Sequence, residues 1–280
     1  MNKLIAPSFS WAFFLTFSLF MLAGCGTPSG GSGGGIASAK VHTELAGLYY
    51  DRAQFGIALE EVEHALRSDQ GYAPAYYMRG LIHMELREDK DAEDDFQRSI
   101  RLDKTDPKAH YNYGLFLCQR GREKESVAQF MEAVKNPLYG TPGLAYLNAG
   151  ICSRKAGNNK DAEDFMQKSL RVQPELTQAL FVLAELNFAN ADYFSAKKYF
   201  ANFSQKTDNL TAEQLWLGVR INRKVGDHNS EASFGTQLRN RFPDARETQL
   251  LMHGEYWNTP RKIAQSKAIV LPRYCQLRWE

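Results

Sequence analysis

A spacing constrains this chain more than any single motif does. Small residues recur at Ala46, Gly80, Gly114, Gly150, Ala184 and Gly218, in steps of 34, 34, 36, 34 and 34. The pattern around them is fullest from Ala109 to Val134, where Tyr113-Gly114, Leu117, Gly121, Ser126, Phe130 and Ala133 fit two short amphipathic helices joined by a turn. Equivalent sets are Leu45-Ala46 with Ala58 and Val62, Gly80 with Ala92 and Phe96, Gly150 with Ala162 and Met166, and Leu183-Ala184 with Ala196 and Phe200. Small residues let helices cross closely, and the aromatic or aliphatic residues fill the gaps. One such pair cannot bury its apolar face alone, so the repetition implies a stack.

A step of about 34 residues is the tetratricopeptide period. The expected fold class is therefore all-α, a tetratricopeptide-repeat solenoid of six helix-turn-helix repeats plus a capping helix. The repeats are placed at 39–72, 73–106, 107–140, 143–176, 177–210 and 211–245. Gly71 and Asp106-Pro107 supply breaks between helices. The longer step puts two extra residues into the proline-bracketed loop Asn136 to Pro142. Residues 246–280 hold a capping helix reaching Tyr256 and a tail that fits no repeat, broken by Pro260 and Pro272 around Ile269-Val270-Leu271.

The amino terminus reads as a lipoprotein signal over residues 1–24. Lys3 precedes an almost wholly apolar run from Trp11 to Ala23, too short for a spanning helix, which needs about 20 apolar residues. Leu22-Ala23-Gly24-Cys25 is similar to the lipobox of bacterial lipoproteins, which implies cleavage before Cys25 and acylation there. Gly26, not Asp, follows, and by that resemblance the protein is sent on to the outer membrane, on its periplasmic face. Residues 25–38 are the lipidated cysteine and a Gly/Ser linker, whose Gly26 to Gly35 part is expected to be a flexible tether reaching roughly 17 Å.

The remaining composition excludes more than it proposes. A formal net charge of +2 is too small to imply a nucleic-acid partner, and no stretch combines Lys and Arg with stacking aromatics. Acid gathers in the first repeat (Glu44, Asp51, Glu60, Glu61, Glu63, Asp69) and base in the last (Arg220, Arg223, Lys224, Arg239, Arg241, Arg246), which reads as two solvated faces. Gly30, Ser32 and Gly34 match the nucleophile-elbow spacing without the strand and helix that motif needs. The six histidines have no metal-ligand spacing, and no phosphate loop occurs. No catalytic residue, cofactor, metal or small-molecule substrate is expected, and the chain is not read as an enzyme.

Four runs go beyond the period: Asn112 to Cys118, Gly143 to Cys152, Leu215 to Gly218 and Gln237 to Asp244. Together, behind a lipobox, they resemble the PilF/PilW family of type IV pilus biogenesis over about Ala46 to Ala245. That resemblance implies an outer-membrane lipoprotein acting as a pilotin, which binds secretin subunits and promotes their localisation and multimerisation. The alternative is a tetratricopeptide lipoprotein scaffold of another envelope machine, for outer-membrane protein insertion or cell-wall growth.

In such helix pairs the first helix lines the concave surface. The expected partner groove is therefore Tyr77, Met78, Leu81, Met84, Tyr111, Asn112, Leu115, Asn148, Phe181, Val182 and Phe188, unless these side chains pack between repeats instead. Asn112 and Asn148 would hold a peptide backbone or satisfy their own helices. Cys118 and Cys152 fall on adjacent first helices about one turn out of register. In an oxidising periplasm they are expected to bond if they face each other at the contact line, and otherwise to pack as thiols.

Overall fold

The computed structural model describes residues 32–257, and among them there are thirteen helices and no strand. The chain is a tetratricopeptide-repeat solenoid. Six helix pairs follow one another: α1 (Ser32–Asp51) with α2 (Phe55–Ser68), α3 (Ala73–Leu86) with α4 (Asp89–Leu102), and α5 (Pro107–Gln119) with α6 (Glu123–Lys135). Then come α7 (Pro142–Lys155) with α8 (Asn159–Val172), α9 (Thr177–Ala189) with α10 (Tyr193–Gln205), α11 (Ala212–Val225) with α12 (His228–Arg241), and α13 (Arg246–His253) against α11 and α12. The signal segment, Cys25 and the tail after Trp257 lie outside the described residues.

Local chemistry starts and stops the helices. Asp106 accepts from Lys108 N ahead of Pro107, Asp192 accepts from Ser195 N, and Asp227 from Ser230 N. Thr211 and Gln214 form a reciprocal capping box at α11. Gly226 ends that helix at φ 77°, a left-handed conformation that glycine adopts without strain.

Packing within a pair turns on small against large. A Cβ on Gly114 would lie 2.8 Å from Phe130 and one on Gly150 2.8 Å from Met166, so these crossings require glycine. Hydroxyls stitch the same pairs, with Ser126 Oγ donating to Gly114 O at 2.7 Å and Ser169 Oγ to Gly143 O at 2.9 Å. The two helices of a repeat bury themselves differently. Helix α4 buries a single stripe, Ala92, Asp95, Phe96 and Ser99, whereas α5 is buried continuously from Ala109 to Leu117. An interior first helix has its own second helix on one side and neighbouring repeats on others, so it is apolar nearly all round.

The first helix starts earlier than expected from the sequence. Helix α1 begins at Ser32, not at Ala39, because the chain there rests on the end of α2. A Cβ on Gly35 would stand 2.7 Å from Ser68 O, and Ser38 Oγ meets Ser68 Oγ at 2.9 Å. Close packing that only glycine permits, together with the buried Ala39 and Thr43, outweighs the poor helix propensity of the glycines.

Candidate protein-binding surface

The first helices meet at matched positions. The residue four places after the small position of one repeat faces the residue two places after it in the next, as Cys118 faces Cys152 and Phe188 faces Arg220. The most tightly held of these contacts is the first. Cys118 and Cys152 are joined by a disulfide with their Cα atoms 5.9 Å apart. Ser126 Oγ approaches Cys152 Sγ at 3.6 Å, and Lys155 Nζ donates to Cys118 O at 2.6 Å. The two thiols thus face each other at the contact line, and repeats three and four are covalently tied.

The proposed apolar groove of repeats two and three is closed. Tyr77, Met78, Leu81 and Met84 belong to the core shared by the first three repeats, while Tyr111 and Leu115 pack with Phe130 and Tyr139. Val182 is buried with Leu147, Ile151 and Leu183. Asn112 is buried, and Asn148 turns its amide to Leu144 O at 3.0 Å and Tyr111 Oη at 2.9 Å, so it is spent inside the stack. These side chains fill space between repeats, since an apolar residue on an all-round apolar helix has no need to face a groove.

Two of the named residues stay half-exposed, Phe181 and Phe188 of α9. Glu185 lies between them and pairs with Arg154 of the preceding repeat. Burial pushes the Glu185 carboxyl above the usual glutamate range, with Arg154 pulling it back. Of the expected groove residues, the accessible ones are thus the two aromatics of repeat five, with Glu185 between them.

A second cluster was invisible in the sequence. Arg220 Cζ stands 4.6 Å from the Phe188 ring, Arg223 Cζ 3.7 Å from Tyr256, and Lys224 Nζ 5.3 Å from Tyr193 and 4.0 Å from Trp257. This corrects the expectation that bases and rings are not brought together. The rings arrive from α9, α10 and the segment after α13, so no window of sequence contains them all. The basic run Arg220, Arg223 and Lys224 was the available signal. Elsewhere, His83, Glu88 and Asp91 bring possible metal-ligand atoms within 4.8 Å of one another, but the two carboxylates are exposed, and His83 Nδ1 is already hydrogen-bonded to Glu88 at 2.5 Å.

Comparison with known proteins places these features in a wider set. Residues 73–106 match the tetratricopeptide repeat family. The type IV pilus assembly protein PilF of Pseudomonas aeruginosa is 26% identical over 201 residues, covering 72% of this chain and 79% of its own. The crystal structure of PilW, described as a widely conserved type IV pilus biogenesis factor, is 31% identical with a TM-score of 0.67, covering 76% of this chain and 98% of that one. The P. aeruginosa PilF structure superposes with a TM-score of 0.72 at 24% identity, covering 79% and 99%.

Proposed function

Because the chain belongs to the PilF/PilW family of type IV pilus biogenesis proteins, we propose that it acts as a pilotin, a lipid-anchored repeat stack that captures secretin subunits and promotes their multimerisation. The observation that carries this reading is 31% identity maintained over 98% of PilW, well beyond what a shared repeat period demands. Repeat stacks of this kind typically bind proteins and do no chemistry. The partner lies on the first-helix side of repeats five and six, around Phe181 and Phe188, where side chains remain accessible.

Cys25 anchors the stack in the outer membrane through its acyl chains, and the periplasmic setting keeps the Cys118–Cys152 bond oxidised. Among the described residues no helix is long and apolar enough to cross a membrane, which leaves anchorage to the acyl chains in this reading. Cys25→Ala then releases a folded repeat domain from outer-membrane fractions.

A deletion strain tests the function. Loss of surface pili with secretin left as monomers supports the pilotin reading, and normal secretin multimers exclude it. Pull-down from solubilised envelopes separates it from a scaffold of another envelope machine, since recovery of an insertion-machine subunit without secretin would overturn it.

A further inference from the structure

We propose that the interface between repeats five and six receives an acidic, extended stretch of the partner polypeptide, with Arg220 and Lys224 as its cationic contacts and Phe188, Tyr193 and Trp257 as the platform that holds them. The proposal rests on reading this side as the partner surface, and it adds the chemistry of what binds there.

Charge accounting singles out Arg220 among the half-buried cations, and the rings around it bring in Lys224. Elsewhere half-buried cations are matched: Arg79 by Asp95 and Glu63, Arg120 by Asp89, Arg122 by Glu93 and Glu125, Arg154 by Glu185, and Lys197 by Asp227, while the exposed Arg223 next to this site pairs with Glu231. Among the described residues Arg220 meets no carboxylate. It is half-buried, and its Nε is fully buried with no hydrogen-bond acceptor. Burial accordingly pushes its guanidinium below the ordinary arginine range. An unmatched cation held out of water is unfavourable, and a ligand carboxylate would remove that penalty. Lys224, one turn further along α11, has no ion pair among the described residues and sits between two rings.

Geometry supports a ligand in this position. A guanidinium lying over a ring keeps its N–H edge free for a carboxylate, so the Phe188 contact presents Arg220 and does not consume it. The rim is apolar and exposed, with Phe194 at 80% and Trp257 at 49% exposure. Such a surface suits a polypeptide that offers both charge and hydrocarbon.

Spacing favours an extended segment. Residues four apart on a helix are separated by about 6 Å along its axis. Acidic side chains two apart on an extended strand are separated by about 6.6 Å and point the same way. Acids at alternate positions would therefore reach Arg220 and Lys224 together. Two cations are too few for a nucleic-acid track, where each neutralised phosphate needs its own. The recess of Arg220 between helices also suits a single reaching side chain better than a planar layer of headgroups.

The test is fluorescence anisotropy on the full mature chain in detergent. The probe is a fluorescein-labelled ten-residue peptide alternating Glu with Leu and Phe, run beside its Gln-for-Glu counterpart. We expect the Glu peptide to bind at least tenfold tighter than the Gln peptide. Arg220→Gln should weaken it at least tenfold, Lys224→Gln at least threefold, and Lys135→Gln on α6 not at all. Lys224 is exposed, so its variant stays folded even if Arg220→Gln perturbs packing, which circular dichroism reports. Equal affinity for both peptides overturns the proposal, as does indifference to both variants. Binding to phosphatidylglycerol vesicles with the same Arg220 and Lys224 dependence, while the peptide is ignored, overturns it in favour of a lipid surface. Arg220-dependent dimerisation in sedimentation without a peptide response overturns it in favour of a second copy. No secretin is present in the assay, so failure here leaves the pilus reading standing, and normal secretin multimers in the deletion strain would leave this peptide result standing.

Discussion

The interface between repeats three and four and the one between repeats five and six use the same two positions of the repeat for opposite ends. In the middle of the stack those positions hold Cys118 and Cys152, bonded to each other beside the buried Phe130 and Tyr139. Toward the end they hold Phe188 and Arg220, a ring under a cation with no carboxylate among the described residues. A repeat fold supplies one backbone geometry many times, and the side chains decide whether an interface is closed or left receptive. The clamped interface fixes the scaffold, and the unmatched one is where a partner gains most by supplying what is missing.

The largest expected contrast is in packing. Phe130 is fully buried against Gly114, and Phe130→Ala should cost about 3–5 kcal/mol in urea denaturation. Phe234, half-buried against Phe200 in the last pair, should cost clearly less when changed to Ala. Equal losses would mean that the two regions are packed alike, and the comparison would fail.

Next comes the covalent clamp. Replacing Cys118 and Cys152 together by Ser should lower stability by about 2–4 kcal/mol, largely by freeing the unfolded chain. Thiol labelling of denatured, unreduced protein should find one reactive thiol if Cys25 carries acyl chains as proposed, since Cys275 alone is then left over. Three labelled thiols would remove the clamp from the account.

A smaller contrast separates matched from unmatched cations. Arg154→Met leaves Glu185 half-buried without its partner and should destabilise by about 1–3 kcal/mol. Arg220→Met abandons no carboxylate and should be within about 1 kcal/mol of neutral. If Arg220→Met proved the more costly of the two, its charge would have a partner within the fold, and the receptive interface would lose its basis.

The smallest effects are in pH dependence, and two carboxylates near the receptive interface should differ in sign. Asp227 is held down to about 2 by Lys197 and by Ser230, against an ordinary 3.8. Its contribution to stability is present above the ordinary value and is lost as pH falls through about 2. Glu185 is raised by burial, so its contribution is favourable when protonated and is lost as pH rises from the ordinary glutamate range through the raised value. Carboxyl resonances followed by NMR titration would show both midpoints. A Glu185 midpoint at or below the ordinary glutamate value would show that Arg154 outweighs burial.

The period made much of this legible. Gly80, Gly114 and Gly150 with Phe96, Phe130 and Met166 announce helix crossings, because a glycine and a large apolar residue at fixed offset have few other uses. What the period does not separate is groove from inter-repeat core. Tyr77, Leu81 and Tyr111 sit where a concave surface belongs, yet interior first helices are apolar on every side, and spacing alone does not say which side a neighbour covers. The start of α1 at Ser32 was hidden because Gly33 to Gly35 carry no helix signal, while Gly35 and Ser38 pack against Ser68. Phe188 and Arg220 were hidden by distance along the chain, since stacking joins residues one repeat apart.

The central claim is that this stack takes part in pilus assembly by presenting its fifth and sixth repeats to a secretin subunit. Photocrosslinking in piliated cells tests it most directly, with p-benzoylphenylalanine placed at Phe188, or at Ile57 on α2, which is 42% exposed. The account predicts a secretin adduct from position 188 and none from position 57. Adducts from 57 alone, or none from 188 in cells that still assemble pili, would contradict it.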